Sequence, residues 1–204
     1  MSRKLIIFIG IFYLVGILGM TVGPYQSFFV DLSFFHLLLS FGALILGRKK
    51  HSIKLWLFIG IAFTTGMLVE WIGVHTGLLF GDYKYGSVLG PKIYGVPIII
   101  GVNWAMLCMV SASLLASLQL NFWLGVVTAA ALMVFLDFLL EPVAIKLGFW
   151  HWKREVIPLY NYVCWFFTAI LLQLLYRKWR LNEPNNVAIA LFIYLTIFFT
   201  ILNF

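Results

Sequence analysis

Seven long apolar runs, separated by short polar or Gly/Pro-containing breaks, decide what this chain can fold into. They read as spans at approximately 5–22, 28–46, 54–76, 97–118, 122–141, 159–176 and 187–204. A helix of about 20 apolar residues matches a hydrocarbon core of about 30 Å, and in lipid a helix satisfies its own backbone polar groups. An average soluble domain carries roughly 25% charged residues; this chain carries 10%, against 63% hydrophobic. The expected fold is therefore all-α, a polytopic membrane helix bundle of about seven transmembrane helices. It forms a single integral membrane domain over residues 1–204.

The breaks fall at Gly23-Pro24, at Gly47-Arg48-Lys49-Lys50-His51, at Gln119-Leu120-Asn121, and at Arg177-Lys178-Trp179-Arg180. Two connections are longer, Leu78 to Val96 and Pro142 to Pro158. Both are rich in Gly, Pro, Tyr and Trp, and are expected to fold back over one side of the bundle. Arg3 and Lys4 precede the first run as in a secretion signal, but the run is long and no small-x-small cleavage site precedes Gly23-Pro24. It is expected to be a retained helix.

The net charge of +7 comes from short basic clusters beside apolar spans, the pattern of membrane anchoring rather than of nucleic acid binding. With the N-terminus inside, nine Lys and Arg residues fall on the inner side. Five (Lys84, Lys92, Lys146, Lys153 and Arg154) fall on the outer side. This asymmetry predicts a cytoplasmic N-terminus, and the basic clusters at 48–54 and 177–180 read as topology anchors. Cys108 and Cys164 sit in different apolar spans and read as packing residues.

The acids carry the functional signal. There are seven, and under this topology six lie at or near the outer side: Asp31, Glu70, Asp82, Asp137, Glu141 and Glu155. An Asp at the centre of a membrane helix costs at least ~2.5 kcal/mol, so buried acids persist where they pair, face a bundle interior or serve a function. Asp137 and Glu141 are spaced i,i+4 and share a helix face. Burial and mutual repulsion disfavour two charges there, so one of the pair is expected to keep its proton, as a general acid must. Hydrogen bonding to neighbouring helices, or pairing with a loop Lys, is the structural alternative. Pro142 follows Glu141 directly, and the helix is expected to end or kink at that acid.

Gly66, Glu70, Gly73 and Gly77 form one stripe at helical spacing. Such glycines serve close helix packing or leave a slot where a flat lipid approaches the backbone beside Glu70. His75 relays protons or sits at the interface. Asn103 and Asn161 add amides at the same depth. Trp71, Trp104, Trp150, Trp152 and Trp165 map to the acid-rich side, as an interfacial aromatic belt or as ring faces around a carbocation.

Several of these residues occur in a recognisable pattern. Glu70-Trp71-Ile72-Gly73, Thr76-Gly77, Phe80-Gly81-Asp82-Tyr83-Lys84-Tyr85, Gly90-Pro91-Lys92, Gly95-Val96-Pro97 and Asn103-Trp104 resemble the carotenoid biosynthesis membrane family, whose characterised members are carotenoid 1′,2′-hydratases. So do Asp137-Phe138-Leu139-Leu140-Glu141-Pro142-Val143-Ala144, Gly148-Phe149-Trp150-His151-Trp152 and Pro158-Leu159-Tyr160-Asn161-Tyr162. The resemblance covers roughly residues 66–166. It implies addition of water to the terminal C1′=C2′ double bond of an acyclic (ψ) carotenoid end, giving a tertiary alcohol. It also implies membrane lipid and a carotenoid as partners, other carotenoid-pathway membrane enzymes as neighbours, and the cytoplasmic membrane of a prokaryote as location.

That chemistry needs an acid to protonate one alkene carbon, a positioned water to capture the tertiary cation, and a base for the water's proton; it requires no redox cofactor and no metal. The expected roles are Asp137 or Glu141 as acid and Glu70 as base or water-orienting group, with Asn103, Asn161 and Tyr162 hydrogen-bonding that water. Trp71, Gly73, His75, Trp104, Trp150 and Trp152 are expected to line the substrate site. An end-group cyclase shares the protonation step but lets an internal alkene capture the cation. A lipid or proton transporter would also use buried acids. A retinal protein needs a Lys in the last span, and 187–204 contains none.

Overall fold

The computed structural model describes residues 2–21, 23–153 and 155–204. Val22, the predicted end of the first span, and Arg154, one of the five outer cations, lie outside the described residues.

The chain is a helix bundle: α1 (Ser2–Thr21), α2 (Gln26–Asp31), α3 (Ser33–Leu46), α4 (Ile53–Thr76), α5 (Ile98–Leu114), α6 (Phe122–Lys146), α7 (Leu159–Lys178) and α8 (Asn186–Asn203). Five of these, α1, α4, α6, α7 and α8, are long and apolar enough to cross a membrane, and α2 with α3 make a sixth, bent unit. Helix α5, with 17 residues, is shorter. It is the central pillar: every residue from Trp104 to Ser113 is buried, and it packs on α3, α4, α6, α7 and α8. A helix that is apolar all round belongs inside a bundle. The outer helices show lipid-type faces instead, with Ile7, Phe35, Trp56 and Phe167 exposed.

The second predicted span is broken. Helices α2 and α3 meet at Leu32 with a bend of 57°, so Asp31 closes a short helix instead of opening a long one, and it is exposed. The cause lies in α1: the Phe29 ring lies over Gly19, in space a Cβ would occupy, and Gln26 Nε2 donates to the Met20 carbonyl at 2.9 Å. Docking on α1 holds α2 off the α3 axis.

Of the two outcomes expected at Glu141, an end is ruled out: helix α6 runs through Pro142 to Lys146. Proline inside a helix costs about 3 kcal/mol. Here the turn beyond it buries Val143 and Ala144 completely, worth roughly 1.5–3 kcal/mol for the valine alone. The end is then sealed by Gly148 at φ 71°, with Phe149 N–H donating to the Ala144 carbonyl at 2.8 Å and Gly148 N–H to Ile145 at 3.2 Å. That is a left-handed glycine cap. Helix α5 stops at Leu114, short of the predicted 118, where turn bonds such as Leu118 N–H to the Leu115 carbonyl take over.

The two long connections carry the only strands among the described residues: β1 (Tyr83–Tyr85), β2 (Lys92–Ile93), β3 (Val96–Pro97) and β4 (Trp150–Trp152). Strands β2 and β3 form a local hairpin, while β1 pairs antiparallel with β4 from the other loop. The register is Tyr83 with Trp152, Lys84 with His151, and Tyr85 with Trp150.

At the opposite end of the bundle, Arg48 is not a surface anchor. It is 6% exposed, donates to Tyr176 Oη at 2.7 Å and to the Leu181 carbonyl at 2.8 Å, and pairs with Glu183 at 3.4 Å. It ties the α3–α4 turn to the α7–α8 turn. Cys108 and Cys164 are free and buried.

Candidate functional site

Glu70 is fixed by its own helix and by the glycines on either side of it. A Cβ at Gly66 would stand 2.5 Å from Trp104 Cδ1, and one at Gly73 would stand 2.9 Å from the Tyr83 hydroxyl. The two missing side chains therefore make room for two of the groups that bind the acid. Trp104 Nε1 donates to Glu70 Oε1 at 3.1 Å, Tyr85 donates to Oε2 at 2.7 Å, and Tyr83 donates to the same oxygen. The glycine stripe is packing space for the site's own side chains, not an open slot for lipid. Gly77 ends α4 in the left-handed conformation at φ 66°, and the chain turns back from there towards β1.

The β1–β4 ribbon supplies donors to two acids from one face. Side chains alternate across a strand, so Tyr83, Tyr85, Trp150 and Trp152 point inward while Lys84 and His151 point out. The tyrosines reach Glu70. The tryptophans reach Glu141, Trp150 Nε1 to Oε2 at 3.0 Å and Trp152 Nε1 to the same oxygen at 2.9 Å. Burial, then the Glu70 charge, push both phenols well above their usual range, so Tyr83 and Tyr85 act as donors.

Asp137 and Glu141 stand one turn apart on α6, and Asn161 bridges them. Its Nδ2 donates to Asp137 Oδ2 at 3.0 Å and to Glu141 Oε1 at 3.2 Å. Asn161 sits in the first turn of α7, which packs along α6 and starts after Pro158. Glu70, Asp137 and Glu141 are 4%, 1% and 2% exposed, so all three are inside the protein. A hydrogen bond to a charged group contributes about 1.5–3 kcal/mol. Three such donors each to Glu70 and Glu141 offset part of the cost of placing a carboxylate there. Asp137 differs. It receives one donor among the described residues, which leaves an oxygen able to carry a proton.

All three acids line one cavity of about 80 Å³. Its polar lining is formed by the acids, Tyr83, Tyr85, Trp150, Trp152, Asn103 and Asn161, with Tyr13, Ser33 and His36 also on it. Its apolar walls come from the bundle, with Leu107, Leu136, Leu140, Leu195, Phe198 and Phe199 among them. Trp165 also lines it and stacks on Trp104 with ring centroids 3.9 Å apart.

Five residues expected in the substrate site do not line the cavity. Trp71 is 41% exposed and faces outward with His75, whose Nδ1 bonds the Trp71 carbonyl at 2.9 Å. On α4 these two occupy the face away from Glu70, where an aromatic pair suits the membrane interface. Tyr162 packs against exposed Phe138 at 5.7 Å, outside the cavity lining. Gly73 and Trp104 do not line the cavity either; Gly73 seats Tyr83, and Trp104 holds Glu70 from behind Trp165. Tyr83 and Tyr85 are site residues that sequence reasoning quoted without assigning. The matching triplets Tyr-Lys-Tyr and Trp-His-Trp, each with period two, were the available signal. Ser33 and His36, also on the cavity wall, carried no signal in an apolar run. Among the described residues no group of three His, Cys, Asp or Glu side chains is placed to hold a metal ion.

Against known proteins, the chain is 30% identical over 117 residues to a bisanhydrobacterioruberin hydratase from Haloarcula japonica. The match covers 53% of this chain and 40% of that protein, so the chain spans less than half the length of its curated relative. No solved structure matches it. Residues 28–204, most of the sequence and all the acids described above, match the family described as carotenoid biosynthesis protein. This chain belongs to the carotenoid biosynthesis protein family.

Proposed function

We propose that the protein is a carotenoid hydratase, adding water across the terminal C1′=C2′ double bond of an acyclic carotenoid end. The observation that carries this reading is the unequal treatment of three buried acids around one apolar-walled cavity. Asp137 keeps an oxygen free, while Glu70 and Glu141 are each held by three donors. In this reading Asp137 is the general acid. It transfers a proton to the less substituted alkene carbon, and the positive charge develops on the tertiary carbon. The fixed carboxylates Glu70 and Glu141 and the ring face of Trp165, backed by Trp104, stabilise that charge. Water then forms the C–O bond, and its surplus proton returns to the carboxylate left on Asp137, so the net change is H and OH added. Glu70 is better suited to charge stabilisation than to accepting that proton, because three of its four acceptor positions are filled.

The relative's name supports hydration over other outcomes of the same cation. The substrate is held in the membrane, in a prokaryotic cytoplasmic membrane with the N-terminus inside and the acid site near the outer surface. Neighbouring enzymes of carotenoid synthesis hand it on. The test is expression in a host that accumulates lycopene, followed by mass spectrometry of extracted pigments. A product heavier by one water is expected. A product of unchanged mass with a ring at its end would replace the hydratase with a cyclase, and no product at all would remove the enzymatic reading.

A further inference from the structure

The mechanism above leaves its nucleophile without a seat. The tyrosine, tryptophan and Asn161 donors around the acids are spent on the acids themselves, so the water is left to the remaining polar groups of the cavity lining, Asn103, Ser33 and His36. Two atoms of these groups are fully buried and have no partner among the described residues. Ser33 Oγ and His36 Nε2 are both buried, both belong to residues lining the cavity, and neither makes a hydrogen bond among the described residues. Buried polar atoms are nearly always satisfied by protein or by ordered water. Ser33 and His36 are three apart on α3 and so share a face. The His36 ring is steered by the edge of Tyr13 at 4.4 Å and by Phe198 at 6.2 Å. Helix α3 packs on α1, α5 and α8, whereas the acids stand on α4 and α6. The unpartnered pair thus reaches the cavity from a different set of helices than the proton donor does.

We infer that Ser33 and His36 seat the water that is added to the alkene. This rests on the hydratase reading. A ψ end lying in the cavity would receive a proton from Asp137 and water from α3. His36 Nε2 and Ser33 Oγ offer one acceptor and one donor, which together fix a water and direct a lone pair at the cation. The C–H and C–O bonds form, the alkene π bond is consumed, and the water's extra proton goes to the Asp137 carboxylate. Both residues are positioning residues in this scheme, because they touch the water and not the proton being delivered.

The experiment separates protonation from capture. Membranes carrying the wild-type chain are incubated with lycopene in D2O, and two readouts are taken: hydrated product, and deuterium in the recovered alkene. A cation that is not captured loses a proton again and leaves deuterium in the substrate. His36→Phe preserves the ring packing, and Ser33→Ala removes only a hydroxyl. For His36→Phe the expected result is about a hundredfold less hydrate, the scale of a misplaced reactant, with deuterium exchange retained or increased. Ser33→Ala is expected to shift the same ratio in the same direction, by about tenfold. Hydration within threefold of wild type in both variants overturns the inference. So does parallel loss of hydration and exchange in Ser33→Ala, which folds even if the larger change does not. A wild-type chain that forms no hydrate removes the hydratase reading itself, an outcome visible before either variant is compared.

Discussion

Tyr83 and Trp152 face each other across the β1–β4 ribbon and send their polar hydrogens to different acids, Tyr83 to Glu70 and Trp152 to Glu141. One ribbon therefore sets the geometry of two carboxylates on two helices. Removing either donor leaves its acid with two others. Tyr83→Phe and Trp152→Phe are each expected to cost about 1–3 kcal/mol, read as a lower thermal midpoint in detergent. Because the residues are cross-strand partners, the double variant is expected to depart from additivity by at least 0.5 kcal/mol. Strict additivity would mean the ribbon does not couple the two acids.

Asp137→Asn keeps the shape of the side chain but cannot deliver a proton. Product formation is expected to fall by roughly 10²–10⁴, the usual contribution of a positioned acid. Glu141→Gln places an amide among three donors and is expected to lose activity and stability together. Pigment yield normalised to folded protein in the membrane distinguishes the two. Full activity in Asp137→Asn would move the acid role elsewhere.

The glycines of α4 differ in what surrounds them. At Gly73 a Cβ would meet the Tyr83 hydroxyl at 2.9 Å and the Leu79 carbonyl oxygen at 3.0 Å, whereas at Gly60 nothing lies within 4 Å. Gly73→Ala is expected to push Tyr83 off Glu70, destabilising by about 1–3 kcal/mol. Gly60→Ala is expected to be neutral or to stabilise by up to about 1 kcal/mol through helix propensity. Equal midpoints for the two variants would show that the stripe is not a packing surface.

Arg48 makes its contacts through a planar fork, to Tyr176, Leu181 and Glu183. Arg48→Met is expected to cost about 3–5 kcal/mol, the scale of breaking a buried ion pair. Arg48→Lys is expected to recover little, since an ammonium cannot reach three partners at once. The comparison is by thermal unfolding of purified protein; a lysine variant as stable as wild type would argue for charge alone.

The long helices were legible in the sequence because the hydrophobic signal is strong over twenty residues. Breaks within them were not. The bend at Leu32 depends on Phe29 finding the bare backbone of Gly19, a contact between separate helices that no local pattern encodes. That α6 continues past Pro142 was hidden for the same reason: the local cost of the proline is visible, but the burial of Val143 and the Gly148 cap that oppose it are not. Of the site, the acids stood out by being costly in oil. The tyrosines did not, since aromatic residues near a membrane surface are common, and only the β1–β4 pairing reveals which way they point. Trp71 and His75 illustrate the converse, lying next to Glu70 in sequence and on the other side of its helix.

The donors described above lie close to their acids along the chain. Glu70 is served from 13, 15 and 34 residues downstream. Asp137 and Glu141 are served from no more than 24 residues downstream. During biogenesis a nascent chain that has emerged as far as Trp104 already contains every partner that quiets Glu70, before α6 has been synthesised. Each carboxylate can thus be escorted into the bilayer by the loop that follows it, and insertion of one acid-bearing segment need not wait for the other.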